Sequence, residues 1–483
     1  MRATFIALAV LTTLAIFAPR SRAAVITVPS PSINTIQNGI DASSSGDVIR
    51  IKAGLYEETV TIGVNQGGIT LVGVGKVILD ARPFAIANGP GLEVLGSGVT
   101  VRNITIRCAR TGAGGDGHGL YVAANDFTGT KINVKHCEAD GIHIDGSGAT
   151  LSNCRIEVVS GDGIHAENAL GLLVSKCVLR SIGSNGIDAL GNDVRVLGCA
   201  VRGSTGTGIV VTGANSLTSK CKVESGGTMG IAIDGSNSVL ENCVTRRTFD
   251  SGLYFDGNSG VVRKCVVDTT FASALFLTGI DATVENNVFK NVRDGISISN
   301  VIDALVRGNR VIYSDARGFR AQNSSNVRVL DNVFTSTMYA AIRFETSSLC
   351  VASDNVMKTC ALAAEAAIEC VSNGAVLERN RIDGCGVDGI RLTADDVEVT
   401  DNILRNCGED GIDVESGDAC VLDGNLVLGC TGEGIENNGT NTTITNNVMK
   451  KNRVDLANDG TLDAVLGNVF TTGGTNEDPL IDF

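Results

Sequence analysis

An apolar anchor returns along this sequence at a nearly fixed interval. It reads Leu120, Ile142, Ile164, Ile187, Ile209, Ile231, Leu253, Leu275, Ile296, Phe319, Ile342, Ile368, Ile390, Ile412 and Ile435. The steps are 21 to 23 residues, except the 26 between Ile342 and Ile368. A unit that small cannot bury a core alone, so successive units must stack on one another as a solenoid. The clearest copy is Gly161-Asp162-Gly163-Ile164-His165-Ala166-Glu167.

Each repeat divides into short alternating segments, which is the pattern of strands. An anchor strand such as Ile142-His143-Ile144 leads through a Gly/Asn/Ser turn to a second strand such as Val239-Leu240-Glu241. A third, such as Val448-Met449, follows a recurrent Cys or Asn. Three strands in about 22 residues make one coil of an all-β, parallel β-helix. About 16 or 17 such coils, stacked at roughly 4.8 Å, are expected.

That recurrent position reads Cys108, Cys137, Cys154, Cys177, Cys199, Cys221, Cys243 and Cys265, then Asn287, Asn309, Asn332, Asn355, Asn380, Asn402, Asn425, Asn447 and Asn468. A stacked Asn amide can donate and accept from coil to coil. Cys fills a similar small volume as a buried, weakly polar side chain. A shorter ladder, Cys360, Cys385, Cys407 and Cys430, lies five places beyond the Asn positions. The cysteine count, fifteen, is odd, and stacked Cβ atoms stand wider than a disulfide prefers. Mostly free, buried thiols are therefore expected, although export would favour disulfides.

Residues 1–23 read as a secretory signal: Arg2, the short apolar run from Ala3 to Phe17, then Ser21-Arg22-Ala23. Cleavage near Ala23 would deliver the protein to the periplasm, the cell surface or the medium. Residues 24–470 form the β-helix, with a helical cap at about 30–42 carrying Ile33, Ile36 and Ile40, and 471–483 form a tail. No segment is long and apolar enough to span a bilayer. The formal charge of −14 argues against nucleic-acid partners. A monomer is expected.

The repeated Asp-Gly-Ile-x-Ile phrase and the Asn ladder resemble the right-handed parallel β-helix family of the pectate-lyase type. The resemblance implies a polysaccharide partner, an acidic one above all, and polysaccharide lyase or uronate epimerase chemistry. A polygalacturonase-like hydrolase and a non-catalytic surface or matrix protein are the alternatives. The stretch beginning at Gly46-Asp47 also resembles the start of many exported β-helix proteins, pectin methylesterases among them. The chain has no Trp, and no specific enzyme family is matched.

In such folds the resemblance places the substrate over the anchor strands. Alternation turns the residue after each anchor outward. Three of the four histidines, His118, His143 and His165, then face one side in consecutive coils. Tyr121, Asp140 and Asp162 join them as catalytic candidates, with Asp145, Glu167 and Asp188 adjacent for substrate binding. Imidazole and phenol suit proton transfer near neutrality. The carboxylates are candidates for Ca²⁺, the one cofactor the pattern suggests. Asp-Gly also recurs at Asp294, Asp388 and Asp410 without a histidine, which assigns Asp140 and Asp162 a turn role as well. Arg320, Arg343 and Arg391, with Arg317, form a basic stripe suited to clamp a distal anionic segment or to pair with Glu345 and Glu369. The stripe starts eight coils from Ile142, roughly 38 Å away. The Ala/Glu insertion from Ala361 to Glu369 has no role assigned by the repeat.

Overall fold

A computed structural model describes residues 23–84, 89–108 and 117–471. Most of the signal expected at residues 1–23, and the tail beyond Thr471, lie outside the described residues. The remainder is an all-β parallel solenoid of about 20 coils. The excess over 16 or 17 has a local cause. Val25–Val28, Val48–Tyr56 and Thr70–Asp80 already stack in parallel at the N-terminal end, but their spacing is irregular. Val454–Asn458 and Leu462–Leu466 add the last coil.

Three stacks run the length of the rod. In the anchor stack Ile142–Ile144 pairs in parallel with Leu120–Val122 on one side and Ile164–Ala166 on the other. The second stack is typified by Leu151 against Val174, and the third by Ile156 against Leu179. Alternation holds as expected: Ile142, Ile144 and Ile164 are fully buried, while His143 and His165 are partly exposed. Burying one such side chain contributes roughly 1.5–3 kcal/mol, and the term repeats in every coil.

The corner before the third strand is left-handed backbone, as at Asn286 (φ 58), Gly308 (φ 65) and Asp331 (φ 56). Asn, Gly and Asp tolerate that region best. The next residue enters the interior as the ladder position. Each ladder Asn accepts on Oδ1 from the backbone N–H of the preceding coil, as Asn332 does from Asn309 at 2.8 Å. Its Nδ2 donates onward, as from Asn332 to Asn355 Oδ1 at 3.1 Å.

The register corrects the beginning of that ladder. Arg155 lies beside Asn133, and Asn133 beside Thr105, so Ile132 and Ile104 occupy the positions below Cys154. Cys137 instead pairs with Val159, in the same column that later holds Cys360, Cys385, Cys407 and Cys430. Cys108 and Cys137 are joined by a disulfide. The other thirteen cysteines are free and buried, as expected for most of the set.

The cap helix spans Ile36–Asp41 and starts at Thr35, whose hydroxyl accepts from Asn38 N–H at 3.1 Å. Glu58 accepts the N–H groups of Ile36 and Gln37 at 2.8 and 3.1 Å, satisfying donors the first turn leaves open. Ile36 and Ile40 are buried at the end of the core. Among the described residues no helix is long and apolar enough to cross a membrane.

Candidate active site

Parallel register puts one outward side chain per coil in a column: Thr61, Glu93, Tyr121, His143, His165 and Asp188. His118 stands beside it, its ring 4.5 Å from that of His143 between centroids. The Tyr121 and His165 rings lie 5.5 and 4.9 Å from His143. The structure thus brings His118, Tyr121, Asp140, His143, Asp145, Asp162, His165, Glu167 and Asp188 together. His136 is exposed in the third stack.

Asp140 and Asp162 each serve two purposes. Asp140 Oδ1 accepts the N–H of Asp162 at 2.7 Å, and Asp162 Oδ1 that of Asn185 at 2.7 Å. This is turn chemistry, and Asp388 repeats it by accepting from Asp410 N–H. The second oxygen faces a ring. Asp140 Oδ2 lies 2.9 Å from His143 Nδ1, and Asp162 Oδ2 3.0 Å from His165 Nδ1.

The far nitrogens also meet carboxylates: His143 Nε2 meets Asp145 at 2.9 Å, and His165 Nε2 meets Glu167 at 3.3 Å. An ionised carboxylate only accepts, so both nitrogens of each ring must donate, and the imidazolium satisfies both. For His165 the Asp162 bond outweighs burial and pushes the pKa up to about 9. Burial opposes charge on His143, but the Asp140 bond and the charges of Asp145 and Asp140 raise its pKa too. Burial also acts against the Asp140 charge; the His143 bond prevails and holds that carboxyl low. Burial and the Asp162 charge push Asp188 upward. A ring donating from both nitrogens has no lone pair for a proton. Both rings are therefore held as donors, which favours their charged form.

Tyr121 donates to Asp145 Oδ2 at 2.6 Å, so Asp145 accepts from phenol and imidazole at once. His118 Nδ1 accepts the N–H of Asp140 at 3.3 Å. A groove of about 810 Å³ runs over Thr61, Glu93, His118, Tyr121, His143, Asp145 and Glu167. Asp140, Asp162 and His165 stand beside this lining. Sequence reasoning missed Thr61 and Glu93, joined by a 3.0 Å hydrogen bond. Their anchors, Val60 and Leu92, fall outside the regular period; the alternation in Val60-Thr61-Ile62 and Leu92-Glu93-Val94 was the available signal.

Of the three sets among the described residues that bring three donor atoms within 4.8 Å, Asp410, Glu433 and Glu436 lie away from the groove, and two lie beside it: His118, Asp140 and His143, then Asp162, His165 and Asp188. Both include imidazole, and Ca²⁺ takes oxygen ligands. Asp145 and Glu167, the carboxylates nearest the groove, already accept from Tyr121, His143 and His165. The Ca²⁺ expectation therefore fits this donor set poorly.

The arginine stripe is engaged internally. Arg320 meets Glu345 at 2.7 Å, and Arg343 meets Glu365 at 2.8 Å. Glu365 also holds Arg317, which gives the Ala361–Glu369 insertion a role as a strap across two coils. Arg391 lies 2.5 Å from Asp388, 3.2 Å from Asp413 and 4.0 Å from Glu369. Burial and the Asp388 charge raise Asp413 to about 7.

Two family models match. One, described as "Right handed beta helix region", covers residues 140–289. The other, "Periplasmic copper-binding protein (NosD)", covers residues 284–482. No curated protein matches the sequence. Among solved structures, the catalytic domain of a GH87 alpha-1,3-glucanase is 13% identical over 71% of this chain and 69% of its own, with a TM-score of 0.39. The tailspike of E. coli bacteriophage HK620 is 12% identical over 87% and 72%, with a TM-score of 0.43. PfbA, a surface adhesin of Streptococcus pneumoniae, is 14% identical over 64% and 89%, with a TM-score of 0.39. At these identities the likeness is one of fold alone. Repeat, ladder, parallel stacks and family models agree: the chain is a right-handed parallel β-helix repeat protein, with no single enzyme family matched.

Proposed function

We propose that this is an exported, carbohydrate-active protein that cleaves a glycan in the groove over Tyr121 and His143. The observation that carries this reading is the row Tyr121, His143 and His165, whose polar atoms are held on carboxylates in three consecutive coils. His143, held between Asp140 and Asp145, is the proton donor for a leaving glycosidic oxygen. Asp145, which accepts from Tyr121 and His143, takes the proton of the attacking water or attacks directly.

Among the described residues the groove lining carries Glu93, Asp145 and Glu167 and no Lys or Arg. That balance favours an uncharged glycan and hydrolysis over an acidic polysaccharide. A second reading, uronate lyase or epimerase action, is favoured by the Tyr121–Asp145–His143 relay beside an imidazolium that offsets a substrate carboxylate. The histidines lie outside the residues matched by the copper-binding family model, so copper is not carried over to them.

One screen separates the readings. Neutral glucans, pectate and alginate are incubated with the protein, with Ca²⁺ or with chelator, and both reducing ends and unsaturated-uronate absorbance are followed. Reducing ends without absorbance, lost in His143→Ala and Asp145→Ala, support hydrolysis. Absorbance supports the lyase. Glycan retention without turnover overturns both in favour of a binding protein.

A further inference from the structure

Beyond His165 the outward column continues through Asp188, Val210 and Ala232 to Tyr254, Phe276, Ser297 and Arg320. This is the anchor face again, five coils and roughly 24 Å from His165 at the strand spacing. Tyr254 and Phe276 stack with centroids 5.9 Å apart and planes 6° from parallel. The largest fully buried side chains include Phe127, Phe255, Phe289, Phe319, Phe334 and Phe344. Tyr254 and Phe276 instead stand on the outward face, as Tyr121 does. The same two coils also carry Phe249 and Phe271, 75% and 68% exposed, with centroids 5.4 Å apart.

The stack ends in a notch. One coil beyond Phe276 the column holds only Ser297, and one coil further it holds Arg320. The Cα positions of Phe276 and Arg320 are thus separated by two strand spacings, about 9.6 Å. Subtracting the half-thickness of a ring and of a guanidinium leaves a gap of roughly 6 Å. The side chains around it form a groove of about 410 Å³ that includes Phe276, Arg320, Arg293, Asp294, Ser299 and Gln322. Ser273 and Ser297 share a 3.0 Å hydrogen bond on its floor. Glu345 holds Arg320 by Nε at 2.8 Å, which fixes the guanidinium in place as one wall.

We propose that this notch is a second glycan-binding site, taking one pyranose ring edge-on between Phe276 and Arg320. One face of the notch is an aromatic ring, suited to the apolar C–H face of a sugar. The others offer hydroxyl, amide, guanidinium and carboxylate groups at the rim, matching ring hydroxyls in both donor and acceptor sense. An apolar ligand would leave those polar groups unpaired, and a compact ion would leave Phe276 uncovered. The site lies on the face that carries the histidine groove, so a long chain lying along the rod would meet both. The proposal rests on the reading that the ligand is a glycan, but not on any turnover.

The test is affinity electrophoresis through gels containing laminarin, dextran, polygalacturonate or alginate. Phe276→Ala removes the platform. Ser297→Phe fills the notch while extending an aromatic stack the sheet already accommodates, so a folded protein is expected. Both variants should lose at least about tenfold in affinity, roughly 1.4 kcal/mol, for the polysaccharide that retards the wild type. Retention of binding in Ser297→Phe overturns the proposal. So does loss in His143→Ala alone, which would place the glycan solely in the histidine groove. Failure of the wild type to be retarded by any of the four also overturns it. Binding that depends on Ser297 in a protein without turnover would sink the catalytic reading and leave the notch standing.

Discussion

Asp140 holds His143 through one carboxylate oxygen, Oδ2 at 2.9 Å from Nδ1, while its other oxygen closes the turn of the next coil. Fold and chemistry thus meet in a single side chain, and substitution should separate them.

Asp140→Asn keeps an oxygen for the Asp162 N–H, as Asn185 does for Thr207 at 2.9 Å, but loses the charge behind His143. Near-wild-type thermal stability with a strong loss of any turnover is expected. Asp140→Ala removes both functions and should cost about 1–3 kcal/mol of stability as well. Thermal unfolding beside kinetics tells them apart.

His165 rises from its ordinary 6.5 to about 9 in the folded chain. Its contribution to stability is therefore fully present below pH 6.5 and is lost as pH rises through 9. Denaturant midpoints should fall between about pH 6.5 and 9.5 in the wild type, and fall less in His165→Gln. NMR titration of the ring proton should give a midpoint near 9.

Asn355 donates to Val329 O at 2.8 Å and accepts the N–H of Asn332 at 3.0 Å, fully buried. Asn355→Leu leaves several of these groups unpaired and should cost at least about 3 kcal/mol. Cys199→Ala, in the cysteine part of the column, should cost only about 1 kcal/mol. Urea unfolding of the two variants checks the contrast.

Denatured, unreduced protein should titrate with thirteen thiols, since Cys108 and Cys137 are paired. The native protein should show almost none, because the free thiols are buried. Fifteen reactive thiols in denaturant would remove the disulfide.

Glu365→Ala should release Arg317 and Arg343 together, leaving two half-buried guanidinium groups without that carboxylate. A loss of about 1–3 kcal/mol is expected, read as a lower thermal midpoint.

The solenoid was legible because an apolar anchor every 22 residues or so can be buried only by stacking one coil on the next. The histidine row was legible for the same reason, since register follows from the period. What the period could not supply was anything in an irregular coil. Glu93 and Thr61 lay beyond it, and Cys108 and Cys137 were assigned to a ladder whose lower positions belong to Ile104 and Ile132. The long excursion to Glu365 hid the partner of Arg317 and Arg343. Nor does spacing reveal which nitrogen faces which oxygen. The protonation state of His165 needed the positions of both Asp162 and Glu167.

The handover from Cys265 to Asn287 settles how the amide column begins. Every Asn asks its predecessor for a hydrogen, and Cys265 answers Asn287 with its backbone N–H at 2.8 Å. Among the cysteines the same demand weakens to a sulfur acceptor, as where Cys243 Sγ takes the N–H of Cys221 at 3.4 Å. The amide column therefore has a polarity and a defined first member, and the coils bearing the histidines lie on the side it does not reach. A break in the amide chain therefore reaches the histidine coils only through the backbone N–H of Cys265.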